Sequence, residues 1–162
     1  MGLPEIIISF QRKADTAIRS GSRGMVAVVL DDTTKNQMLT PYRRWRDVVQ
    51  EDWTKESLKA LELVFKGSPQ RVVAVRLLKD EATPALAGPL KEILPLNIDY
   101  LAYPAYTAGD KEALQAYLEA VRRQGKKAKA VLPDCAADDP HVVNFATTGV
   151  TALWENQDEV QT

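Results

Sequence analysis

The chain has 162 residues, 45% of them hydrophobic, with 22 acidic side chains against 21 basic ones. This is enough apolar material for one domain with a real core, which excludes a disordered chain. The near-zero charge supplies none of the positive field by which nucleic-acid binders attract phosphates, and it does not oppose association with other proteins.

Leu3 to Phe10 is a short apolar run rich in β-branched residues, with Pro4 near its start, where a strand tolerates it. Gln11 to Arg23 follows, with only Ala14, Ala17 and Ile18 apolar and Ser20-Gly21-Ser22 supplying turn chemistry. Together they read as an extended amino-terminal β-strand arm on a linker, residues 1–23. The alternative use of Leu3 to Phe10 is as an edge strand of its own domain.

Met25 to Leu30 is a continuous apolar run of the kind buried on both faces of a sheet. Trp45, Val48, Val49 and Trp53 recur at helical spacing. Thr54 caps a further predicted helix with Leu58, Leu61, Val64 and Phe65 on its inner stripe and Gly67 past its end. Arg71 to Leu78 is a second strand, and Thr83-Pro84 opens a short, uneven helix running through Gly88-Pro89 to Leu94. Ile98 to Tyr103 is a third strand. From Asp110, Leu114, Tyr117, Leu118 and Val121 mark the best helix, which stops at Gly125. Ala128 to Leu132 is the fourth strand and Val150 to Trp154 a fifth. Strands alternating with helices predict an α/β domain over residues 24–155, a largely parallel sheet with helices on both faces. Residues 156–162 are a polar tail or a point of truncation.

Several clusters carry possible chemistry. Asp31 and Asp32 end a buried strand, where open α/β sheets place active sites, and a small magnesium-dependent phosphohydrolase using both is the enzymatic alternative. The phosphatase pattern wants a second aspartate two positions after the first, and Thr33 and Thr34 stand there instead. Asp134, Cys135, Asp138, Asp139 and His141 are competent metal ligands, but their spacing fits no zinc signature, so turn chemistry is the preferred reading. His141 is the only histidine and Cys135 the only thiol, which leaves nucleophilic catalysis little material. Gly21-Ser22-Arg23-Gly24 precedes a strand instead of opening a helix, so it lacks the geometry of a phosphate cradle. Arg122, Arg123, Lys126 and Lys127 sit where cations offset a helix dipole. Arg43, Arg44 and Arg46 interleave with Tyr42 and Trp45, and a salt-bridged protein contact is preferred over stacking on bases. The reading expects no catalytic residue, cofactor, metal or nucleic acid. A lone cysteine excludes an internal disulfide framework, the amino terminus has no secretory-signal pattern, and no apolar run approaches the roughly 20 residues needed to cross a bilayer, so synthesis in a cytoplasm and no membrane association are expected.

With catalysis weak, the arrangement itself is informative. Gly2-Leu3-Pro4-Glu5-Ile6-Ile7-Ile8-Ser9-Phe10, then Thr16-Ala17-Ile18-Arg19-Ser20 and Ser22-Arg23-Gly24, then Met25 to Asp31, resembles the start of the contractile tail sheath family. These are sheath subunits of contractile phage tails, defective prophages and phage-tail-like bacteriocins. Tyr100-Leu101-Ala102-Tyr103-Pro104, the helix from Asp110 and Lys129-Ala130-Val131-Leu132-Pro133 look like the α/β portion of the same family. The resemblance implies stacked hexameric rings around a tail tube, contraction that drives the tube through a target envelope, and a mature location in a virion or tail-like particle. Energy would then be released by a packing switch and not by nucleotide hydrolysis. It implies self-association with other sheath subunits, tail tube and baseplate partners, and an arm whose Ile6, Ile7, Ile8 and Phe10 join a neighbour's sheet. Family members are more than twice this long, so a fragment lacking the tube-facing carboxyl-terminal domain is expected. A protein-binding α/β module is the third class of reading.

Overall fold

The computed structural model describes residues 24–78 and 86–146. The arm with Ile6, Ile7, Ile8 and Phe10, the linker to Arg23, the Thr83-Pro84 cap, the Val150–Trp154 run and the polar tail lie outside the described residues.

Six strands form one sheet: β1 (Met25–Asp31), β2 (Leu39–Tyr42), β3 (Arg71–Leu77), β4 (Tyr100–Ala102), β5 (Lys129–Pro133) and β6 (Val142–Phe145), in the order β2-β3-β1-β4-β5-β6. All neighbours are parallel except β2 on β3, so the expected largely parallel α/β sheet is observed. β1 pairs with β3 from Met25↔Arg71 to Asp31↔Leu77. This long central pairing takes up the two strongest apolar runs of the sequence, as expected of strands buried on both faces.

Among the described residues three α-helices flank the sheet: α1 (Lys55–Lys66), α2 (Ala87–Ile93) and α3 (Lys111–Arg123). Helix α1 starts at Thr54, whose hydroxyl accepts the Ser57 amide at 3.3 Å. Pro89 is harmless in the first turn of α2, where no intrahelical N–H is needed. Helix α3 ends in a Schellman motif: the Gly125 N–H donates to the Arg122 carbonyl and the Lys126 N–H to the Val121 carbonyl. Gly125 has φ of +70°, a conformation that makes the motif possible.

Alternation along the strands separates two cores. Ala27, Val29, Val73, Val75, Leu101, Ala130 and Leu132 pack under α2 and α3, whose Leu90, Ile93, Leu114, Tyr117, Leu118 and Val121 face them. On the other face Val28, Leu30, Val72 and Ala74 pack against α1 and the aromatic residues Tyr42, Trp45 and Trp53. Helices therefore occupy both faces, but the second face is covered only over β1 and β3. Across β4, β5 and β6 the same face leaves Tyr100, Val143 and Phe145 exposed.

Three expectations need correction. The helix over Trp45 to Trp53 is two 3-10 turns, Trp45–Asp47 and Gln50–Asp52, with Val48 and Val49 extended between them. The apolar spacing is real, but it serves a wrapped segment: Trp53 Nε1 donates to Tyr42 Oη at 2.9 Å, and Trp45 packs edge-on to Phe65. Strands β2 and β6 were not expected. β2 contains Pro41, which is tolerated because β2 is an edge strand, and β6 is only four residues long.

Candidate functional site

The carboxyl ends of β1 and β4 form the topological switch point, since the chain passes from β1 to β3 on one side and then to β4 on the other. Open α/β sheets place active sites there. Asp31 and Asp32 stand at this edge, but strand alternation sends them to opposite faces. Asp32 turns to the α1 face and is 2% exposed. It accepts the Thr34 amide at 3.0 Å, the Thr34 hydroxyl at 2.5 Å and the Thr54 amide at 2.8 Å. Arg76, from the neighbouring strand and 1% exposed, donates its Nε to Asp32 Oδ1 at 3.2 Å.

The Arg76 guanidinium also bonds the backbone: Nη1 donates to the Gln37 carbonyl at 2.9 Å and Nη2 to the Asp52 carbonyl at 2.6 Å. Its carbon lies 4.0 Å from the centroid of the Trp53 ring. Burial alone raises the Asp32 pKa, but the bonds from Thr34 and Thr54 outweigh it and hold the carboxyl far below the usual carboxylate range. A buried carboxylate with both oxygens engaged by the protein is an anchor and makes a poor metal ligand or base.

Asp31 lies on the α2–α3 face with Tyr103 and Asp110. Burial raises the Tyr103 pKa, and the charges of Asp31 and Asp110 raise it further, so this phenol stays neutral. Tyr106, next in the same loop, is pushed up to about 12 by burial and by its bond with Cys135. The two aspartates of the phosphohydrolase alternative thus do not converge on one ion, and that reading is not supported. Among the described residues, no three His, Cys, Asp or Glu side chains gather in a metal-holding group.

The loop after β5 is held by local turn and side-chain hydrogen bonds. Cys135 is buried; its N–H donates to Asn144 Oδ1 at 2.9 Å and its Sγ lies 3.4 Å from Tyr106 Oη. Asp139 accepts the His141 amide at 2.8 Å and Arg122 Nη2 at 3.0 Å. His141 Nδ1 lies 3.1 Å from the Ala128 carbonyl. No thiol–imidazole pair forms, because each group is held by a different neighbour.

The basic clusters also have local uses. Arg123 pairs with Glu119 one turn back, and Lys126 Nζ donates to the Leu94 carbonyl at 2.7 Å. Tyr42 is buried and Trp45 is half-buried against Phe65, so the aromatics beside Arg43, Arg44 and Arg46 belong to the core and are not a stacking platform. Arg43 and Arg71 line a polar recess of about 430 Å³ at the amino ends of β1 and β3.

At that same end the chain enters the domain through Gly24. The Asp99 carboxylate accepts the Met25 amide at 2.7 Å, and a Cβ on Gly24 would lie 2.5 Å from Asp99 Oδ2. Only glycine lets the entering chain pass under this carboxylate. Sequence reasoning missed this clasp and the buried Arg76. The signal for Arg76 was present: a charge inside an otherwise apolar strand needs an opposite charge nearby.

No family model matches the chain. A curated tail sheath protein of Clostridium phage phiCD119 is 26% identical over 158 residues, covering 89% of this chain and 41% of that protein. Among solved structures, the contracted helical sheath of the anti-feeding prophage aligns over 76% of this chain and 39% of its own, with a TM-score of 0.51 and 20% identity, a likeness of fold. The chain therefore spans less than half the length of each. The sheath resemblance drawn from the amino-terminal motifs and the α/β strands is upheld by the phage relative.

Proposed function

We propose that this chain, a member of the contractile tail sheath family, is the α/β portion of a structural subunit that polymerises around a tail tube and contracts to drive the tube through a target envelope. The observation that carries the reading is the phage tail sheath relative matched along 89% of the chain. The interior of the domain agrees with it: the polar groups at the switch point are spent on anchoring β1, β3 and the segment before α1, which suits a rigid body moved as a unit. The role is structural and not enzymatic.

In this reading self-association with other subunits builds the sheath, with the tail tube and baseplate as further partners and a virion or tail-like particle as the final location. Ile6, Ile7, Ile8 and Phe10 form the donor face of an arm that adds main-chain hydrogen bonds to a neighbour's sheet. The residues between the arm and Gly24 let domains rotate without breaking that link. Gly24 and Asp99 fix the point where this tether meets the rigid body.

The test is removal of residues 1–20 from the gene product that contains this chain. The domain is expected to keep its far-UV circular dichroism and cooperative melting, while negative-stain microscopy finds no regular tubes. A domain that unfolds would make Leu3–Phe10 part of its own core. A stable complex with an unrelated protein, and no self-assembly of the intact product, would favour the protein-binding module.

A further inference from the structure

The charges of the chain nearly cancel in sum but not in place. Every strand but β2 runs in one direction and the helices return against it, so the domain has two ends of different make-up. At the amino end of the sheet, Arg71 and Lys129 open β3 and β5, Arg43 follows the pairing of Tyr42 with Val72, and Lys127 lies in the segment before β5. The acids at this end are largely engaged: Asp99 accepts the Met25 amide, Asp139 pairs with Arg122, Glu119 with Arg123 and Glu62 with Lys66. Arg43, Arg71, Lys127 and Lys129 make no ion pair among the described residues. Arg43 and Arg71 also share, with Met25 and Gln70, the polar recess of about 430 Å³.

At the carboxyl end the sign is reversed. Glu51 stands next to Asp52, whose carbonyl is bonded by Arg76 near the end of β3. Glu56, in the first turn of α1, lines a recess with Asp31 and Pro104 at the ends of β1 and β4, and Glu112 is in the first turn of α3. These three glutamates are exposed and make no ion pair among the described residues. Of the cations at this end, Lys35 pairs with Asp52 and Lys111 donates to the Ala136 carbonyl. Lys55 here, and Asp47 and Glu92 at the other end, carry the minority sign. Helix dipoles account for Glu56 and Glu112. They do not account for Arg43, Arg71 and Lys129, which belong to strand ends, or for Glu51 in its 3-10 turn.

We propose that the amino-end rim of Arg43, Arg71, Lys127 and Lys129 docks head to tail against the carboxyl-end rim of Glu51, Glu56 and Glu112 on a second copy of this chain, with an acidic side chain entering the Arg43–Arg71 recess. Charge complementarity selects this occupant. A body with opposite poles matches a copy of itself at both poles, whereas an unrelated acidic partner answers only the basic one. Exposed ion pairs are individually weak, but several aligned across one contact fix orientation and register. The contact is heterologous, so it repeats from copy to copy in a row and does not close on a pair. This pairing rests on the sheath reading for its place in a particle. Pairing of copies in solution and formation of tubes are separate readouts, so each can fail without the other.

Sedimentation of the full chain tests this. At about 10 mM salt, where charges act over about 30 Å, the mean mass should rise with protein concentration, and at about 1 M salt, where they act over about 3 Å, it should stay that of a monomer. One variant neutralises the basic rim (Arg43→Gln, Arg71→Gln and Lys129→Gln) and another the acidic rim (Glu51→Gln, Glu56→Gln and Glu112→Gln). Each alone should lose about tenfold or more in association at low salt. Mixed in equal amounts, they should form a pair and stop there, because each brings one intact rim. If a triple variant loses its circular dichroism, Arg43→Gln and Glu51→Gln carry the same expectation with smaller shifts. A chain that stays monomeric at low salt overturns the proposal, as does association that survives neutralising either rim or a mixture that forms no pair. Association that persists at high salt makes the exposed apolar face around Phe145 the contact, and overturns it too.

Discussion

The two halves of the sheet are built on different terms. Over β1 and β3, both faces are covered, and the strands carry continuous apolar runs tied together by a buried ion pair. Over β4, β5 and β6, one face is packed under α2 and α3 while the other presents Tyr100, Val143 and Phe145 to solvent. The contrast separates what holds the domain together from what it offers to other segments. The closed half ties its buried Asp32 and Arg76 into hydrogen bonds within the domain, and the open half carries exposed apolar groups. In the proposed sheath subunit, the first property would supply the rigid body and the second a surface for contact.

The strongest way to break this comparison is to unmake the anchor of the closed half. Arg76→Met leaves the Asp32 carboxylate buried without its cation, and chemical denaturation should show a loss of about 3–5 kcal/mol. Adding Asp32→Leu to it should recover part of that loss, since an apolar pair replaces an ionic one. Leu61→Ala, beneath α1 and fully buried, should cost about 2–5 kcal/mol. Phe145→Ser on the open half should cost less, about 1 kcal/mol. Equal losses at the two sites would show that the halves are packed alike.

Smaller effects sharpen the picture. Gly125→Ala places a Cβ in open space but forces a left-handed conformation, so it should cost about 1–2 kcal/mol. Acid should act through Asp32. Its folded pKa lies below the ordinary aspartate value of 3.8, so the folded state binds fewer protons than the unfolded state. The resulting stability is fully present above that value and is lost as pH falls through and below it. Denaturant midpoints should therefore drop in this window, and the drop should be shallower in Asp32→Asn. Asp31→Asn should change neither the fold nor, in phosphate-ester assays with magnesium, the absence of turnover.

Much of the closed half was legible in the sequence. Met25–Leu30 is a continuous apolar run and Arg71–Leu78 one broken only by Arg76, both marks of central strands, and Thr54 and Gly125 delimit their helices by capping chemistry. The segment from Trp45 to Trp53 misled because periodicity reports which residues are buried and not the backbone that buries them. A wrapped chain with two 3-10 turns places Trp53 on Arg76 as well as a helix would place it on a core. β2 and β6 escaped because four-residue edge strands leave almost no periodic signal. The role of Asp32 was hidden for a different reason: adjacent aspartates look like one site until alternation assigns them to opposite faces. The arm, read from Ile6, Ile7, Ile8 and Phe10, rests on sequence pattern and on the likeness to the phage tail sheath protein.

In the proposed sheath subunit, Leu3–Phe10 links copies of this domain into a tube and is not needed for the domain to fold. Negative-stain microscopy of the gene product lacking residues 1–20, paired with its thermal melt, tests it most directly. The account predicts a cooperative melt close to that of the intact protein and no tubes. Tubes of normal form from the shortened protein would contradict it.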